Sequence, residues 1–107
     1  MDNDFVRKRI TSLRIQKGVS EYKMSLDLGH SKSYIQSISS GRALPSLPEL
    51  FYICDYFGIT IQDFFDEDLD YPQMTQELIQ LARNMDSVDV ELLITMARRL
   101  RGEAESR

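Results

Sequence analysis

Residues 20–41 read SEYKMSLDLGHSKSYIQSISSG, and the fold is decided there. Ser20 has the form of a helix N-cap, and Val19 and Met24 sit where the two residues of a hydrophobic staple belong. A short helix follows and stops at Gly29, because a left-handed backbone is cheap only for glycine. Leu28-Gly29-His30 makes a tight turn, Ser31 is the next N-cap candidate, and a second helix runs on from Lys32. Met24, Ile35 and Ile38 supply a core between the two helices, and the small Ser25 lies where they must approach closely. Two short helices joined in this way form a helix-turn-helix. Its second helix can enter a major groove with its N-terminal side chains aimed at base edges.

The flanks carry the same helical period, with no sustained strand-like alternation. Upstream, Phe5, Val6, Ile10 and Leu13 mark one face of a helix ended by Gly18. Downstream, Gly41-Arg42-Ala43-Leu44-Pro45 breaks the pattern, and Ser46-Leu47-Pro48-Glu49 then has capping-box form. Leu47, Leu50, Cys54 and Phe57 follow as an expected buried stripe, ended by Gly58. Thr60 is placed to cap a fifth helix carrying Ile61, Phe64 and Phe65. Beyond the charged run Asp66-Glu67-Asp68-Leu69-Asp70, expected to be a solvated linker, two more amphipathic helices are legible. Met74, Leu78, Leu81, Ala82 and Met85 mark the sixth. Leu92, Leu93, Met96, Ala97 and Leu100 mark the seventh, with Asp86 or Ser87 as its cap.

Taken together, Ser20 to Ser25, Leu28 to Ile35, Ile38 to Arg42 and Pro45-Ser46 resemble the helix-turn-helix of Cro and the lambdoid phage repressors, the Xre-type regulators. The resemblance covers about residues 5–66, including the Phe57-Gly58-Ile59-Thr60 turn and Phe64-Phe65. It implies an all-α fold: a five-helix phage-repressor-like DNA-binding domain over residues 1–68 and a C-terminal two-helix extension over 69–107. By position, it makes Lys32, Ser33, Gln36 and Ser37 the candidate base contacts; lysine suits guanine O6/N7 and glutamine suits adenine N6/N7. Ser31, Tyr34, Ser40 and Arg42 fall where members of the family touch phosphates, although the Tyr34 ring is equally placed to pack on a neighbouring helix. Two positions depart from the pattern. Glu21 stands where the family often has a phosphate-contacting glutamine, and Ser39 where it often has a glutamate. The implied function is a sequence-specific transcriptional regulator, a repressor, acting on double-stranded DNA as a homodimer.

Charge fits this reading only when taken by halves. The chain of 107 residues carries a net charge of −4, which alone argues against nucleic acid. Residues 1–50 hold eight basic residues (Arg7, Lys8, Arg9, Arg14, Lys17, Lys23, Lys32, Arg42) against five acids, giving +3, whereas residues 51–107 give −7. A phosphate backbone senses the nearby face rather than the distant tail. The C-terminal apolar stripe either folds back on the domain or pairs with its copy in another chain; pairing is favoured, because two-fold dimers match half-sites about 34 Å apart.

Other functions find less support. One cysteine and one histidine leave no disulfide, metal cluster or nucleophile–base pair, so no enzyme, metal or cofactor is expected. Cys54 falls on a core stripe, and His30 reads as a turn residue. No apolar run approaches membrane length and no secretory signal is visible, so a reducing cytoplasm is the expected compartment. The competing reading is a protein-interaction module on the same fold, antitoxin-like or an anti-regulator, with weak DNA binding. Glu21 and the acidic tail motivate it.

Overall fold

The computed structural model describes residues 1–102, and within them the chain is seven α-helices with no strand. In order these are α1 (Asn3–Lys17), α2 (Glu21–Asp27), α3 (Tyr34–Ser39), α4 (Leu47–Phe57), α5 (Ile61–Phe65), α6 (Pro72–Arg83) and α7 (Ser87–Leu100). They fall into two compact units, Met1–Gln76 and Glu77 onward, divided within α6.

Local capping chemistry sets most of the boundaries. The side chains of Ser20, Ser46, Thr60 and Asp86 accept the amide N–H three residues on, from Lys23, Glu49, Asp63 and Asp89. Gly18 and Gly58 close α1 and α4 in left-handed conformations, their N–H groups returned to the last helical carbonyls. Asp2 caps the start of α1.

In the first unit, helices α1 to α5 enclose one core. It comprises Ile10 and Leu13 from α1, Met24 from α2, Ile35 and Ile38 from α3, Leu50, Ile53, Cys54 and Phe57 from α4, then Ile59 and Phe64. The expected stripe on α4 needs one amendment. Leu47 is exposed, and Ile53 is buried alongside Leu50, Cys54 and Phe57. Leu47 is the first helical residue, facing outward, so the inner face begins one turn later. Cys54 is a free core thiol, and burial pushes it up to about 11.

The acidic run 66–70 is fastened down. The guanidinium of Arg9, only 8% exposed, donates to the carbonyls of Phe64 (2.9 Å), Leu69 (2.6 Å) and Asp66. Gln16 donates to the Asp70 carbonyl, Gln73 to the Leu13 carbonyl, and Gln76 to the Asp63 carboxylate. These bonds tie the run and the start of α6 to the body of the first unit. Asp66, Glu67, Asp68 and Asp70 are exposed, as expected of a solvated run, while side chains of α1 hold its backbone.

In the second unit, α7 buries no residue, and Leu78, Leu81, Met85, Val88, Leu92, Met96 and Leu100 are all exposed. No helix among the described residues is long and apolar enough to cross a membrane.

Candidate nucleic-acid interface

The third helix is six residues long and starts later than its sequence suggests. Ser33 is its N-cap position, with φ −105° and ψ 7°, and makes no side-chain capping bond. Lys32 and Ser33 lie in a turn, closed by the Tyr34 N–H donating to the Ser31 carbonyl at 3.1 Å. A helix running from Lys32 with Ser31 as its cap is therefore corrected to Tyr34–Ser39. The reason is a distant partner. Ser25, fully buried on α2, accepts the Ile35 N–H at 3.0 Å and donates its own proton to the Glu21 carbonyl at 2.7 Å. An N-cap side chain normally satisfies the second or third helical amide; here a hydroxyl from the preceding helix performs that task.

With the inner face anchored by Ile35 and Ile38, the outer face of α3 and its entry turn are open. Ser31, Lys32, Ser33, Gln36, Ser40 and Arg42 are exposed. The side chains of Lys32, Ser33, Gln36 and Arg42 have no hydrogen-bond or ionic partner among the described residues. Ser37 is half-buried, and its hydroxyl donates to the Tyr34 carbonyl at 2.6 Å, leaving it only acceptor capacity outward. Six of the eight residues expected to contact DNA thus share one accessible surface.

Tyr34 departs from that set. Its ring stacks on His30 with centroids 3.7 Å apart and planes 9° from parallel. Its hydroxyl is covered and has no hydrogen-bond partner among the described residues. Burial, with the Glu49 charge adding to it, raises the Tyr34 pKa above its ordinary value of 10.0. The phosphate contact expected of Tyr34 is not available in this conformation; packing won. His30 in turn bonds through Nε2 to Glu49 Oε2 at 2.6 Å. Glu49 consequently supplies half a capping box: its N–H bonds to Ser46, while its carboxylate turns to His30.

The two departures from the family pattern meet each other. The Ser39 hydroxyl donates to the Glu21 carboxylate, bracing the end of α3 against the start of α2. Beyond it the chain turns at Gly41, where φ is +86°, and Arg42 and Ala43 both donate their N–H groups to the Ser37 carbonyl. Only glycine adopts that backbone without cost. A side chain also closes on this turn, because a Cβ on Gly41 would lie 3.6 Å from the guanidinium of Arg7. Arg7, ion-paired with Asp4, thereby joins the edge on which Arg42 sits. Its place at this edge is not readable from sequence, since nothing in the α1 pattern separates it from Lys8.

Several of the front half's basic residues serve the fold instead. Arg9 holds three carbonyls, Arg14 donates to the Val19 carbonyl, Lys17 lies over the Tyr56 ring and Lys23 pairs with Asp27. Tyr56 donates to Asp27 at 2.7 Å; burial first, then that bond, raises the phenol to about 12. The same bond leads in lowering Asp27. The cationic face offered to a phosphate backbone is small, consisting mainly of Lys32, Arg42 and Arg7.

Comparison with known proteins agrees with this geometry. A family model described as Helix-turn-helix, of the Cro/C1 type, matches residues 10–64, just over half of the chain. No curated protein and no solved structure matches it.

Proposed function

Because this chain belongs to the Cro/C1-type helix-turn-helix family, a family of DNA-binding regulators, we propose that it is a repressor that reads an operator as a homodimer. In this reading Lys32, Ser33 and Gln36 touch base edges, with Ser37 beside them as an acceptor. Ser31, Ser40 and Arg42 touch phosphates, and Arg7 adds a further cation at the Gly41 turn.

One observation carries the assignment. Lys32, Ser33 and Gln36 are exposed side by side and unpaired among the described residues, on a segment whose inner side is locked by Ile35, Ile38 and the Ser25 bond. Rigid backing with free polar tips is what direct readout needs. Dimerisation through residues 77–100 rests on the exposed apolar side chains of α6 and α7.

The small cationic face makes the test quantitative. Each neutralised phosphate contributes about −0.9 to the slope of log affinity against log salt. Two cationic phosphate contacts per copy, Arg42 and Arg7, therefore predict a slope of about −2 for each protomer bound. Fluorescence anisotropy on random-sequence and selected duplexes from low to moderate salt would measure it, and a slope near zero would remove DNA from the account. Substituting both Leu92 and Met96 by Glu in the full chain should convert dimers to monomers in sedimentation and weaken operator binding. Monomeric wild-type protein at operator-saturating concentration would defeat the dimer.

The second reading, a protein-interaction module with weak DNA binding, draws on the same scarcity of cations and on Glu21. A stoichiometric protein partner recovered together with a flat salt response would favour it.

A further inference from the structure

We propose that His30, Tyr34 and Glu49 form a clip that sets base selectivity by holding residues 31–33 in one conformation. The inference rests on the reading that Lys32 and Ser33 meet bases. Those two residues stand on a turn: the Ser33 carbonyl accepts the first helical bond, from the Ser37 N–H at 3.0 Å, but Lys32 precedes the helix and is not fixed by it. The backbone before Ser33 needs another support. His30 and Tyr34 bracket the turn at its two ends, and their rings lie face to face at 3.7 Å. Each end is tied further: the His30 N–H donates to the Ser25 carbonyl at 3.0 Å, and the Tyr34 N–H to the Ser31 carbonyl at 3.1 Å.

Glu49 supplies the third point. Its carboxylate forgoes the Ser46 side of a capping box and grips His30 Nε2 at 2.6 Å, so the imidazole can neither rotate off the tyrosine nor swing into solvent without breaking that bond. The covered, unpartnered Tyr34 hydroxyl is consistent with a ring placed for stacking rather than for a polar contact. Side chains that read bases work only when their backbone is pre-organised. The clip is a positioning device, and its three residues need not touch DNA.

The test uses the full chain and duplex selection followed by sequencing, with amide exchange measured on the DNA-free protein. His30→Ala should leave the salt slope unchanged, speed exchange at the Tyr34 amide, and relax discrimination by about tenfold at the base pairs that Lys32→Ala also relaxes. That is the low end of what one base pair is worth. His30→Phe, which restores a ring on Tyr34, should recover part of the selectivity. Glu49→Ala, which keeps both rings but frees the imidazole, should fall between the two and serves if His30→Ala does not fold. A folded His30→Ala variant with the wild-type motif and unchanged exchange overturns the clip and leaves the DNA reading standing. Wild-type protein that enriches no motif overturns both.

Discussion

The two helices of the helix-turn-helix are built in opposite ways. Helix α2 carries its own instructions: Ser20 caps it, Val19 and Met24 bracket the cap, and Glu21 complements the positive end of the helix. Helix α3 carries almost none. It has six residues, no capping bond of its own and no charged residue in its first or last turn. An isolated helix of that length does not persist in water. It exists because Ser25 and His30 hold it from outside and its own Ile35 and Ile38 are buried in the core. That leaves Gln36 and the Lys32-Ser33 turn with no structural duty, which is what a surface for reading requires. A helix that stabilised itself with its exposed side chains could not also lend them to a ligand.

The largest expected effect attacks the anchoring of α3. Ile38→Ala should cost about 2–5 kcal/mol in urea unfolding, the usual range for emptying a buried site, and should abolish DNA binding near the new midpoint. Next comes a direct ranking of the two helices. Ser25→Ala leaves the Ile35 N–H buried without a partner and should cost about 1–3 kcal/mol. Ser20→Ala removes an exposed cap and should cost about 1 kcal/mol. A Ser20 effect larger than that of Ser25 would break the contrast, because α2 would then be the helix more dependent on a single bond.

A smaller effect probes the side of α2 facing α4. Tyr56 is raised from 10.0 to about 12, and Cys54 from 9.0 to about 11. The unfolded chain releases these protons first, so unfolding is favoured as pH rises through 9–12, and the stabilisation is complete below that window. Tm should be level to about pH 9 and then fall. Tyr56→Phe should make the fall shallower above pH 10, and an unchanged profile would remove Tyr56 from this part of the account. Smallest of all is Lys32→Ala, which should move stability by no more than about 0.5 kcal/mol.

This contrast also explains what was legible. The caps at Ser20, Ser46, Thr60 and Asp86 act across three residues, so spacing exposes them, and most of the core follows from period, though on α4 it included Leu47 and missed Ile53. Apart from Leu47, which faces outward at the first position of α4, the errors have partners far away in sequence. The start of α3 depends on Ser25, ten residues before Ile35. The carboxylate of Glu49 is claimed by His30, 19 residues earlier. Arg9, which reads as a free cation, is spent on carbonyls 55 to 60 residues away. Tyr34 could pack or reach outward on sequence grounds, and the His30 ring decided between them. Gly41 was legible as a break, but not the Arg7 guanidinium beside it.

The central claim is that an externally braced turn and helix present Lys32, Ser33 and Gln36 to base edges. Selection from random duplexes with wild-type protein, Lys32→Ala and Arg42→Ala, sequenced to the same depth, tests it most directly. The account predicts a two-fold symmetric motif for wild type, loss of preference at one base pair per half-site for Lys32→Ala, and the intact motif at uniformly lower affinity for Arg42→Ala. Identical motifs and affinities for all three proteins, or no enrichment with wild type, would contradict it.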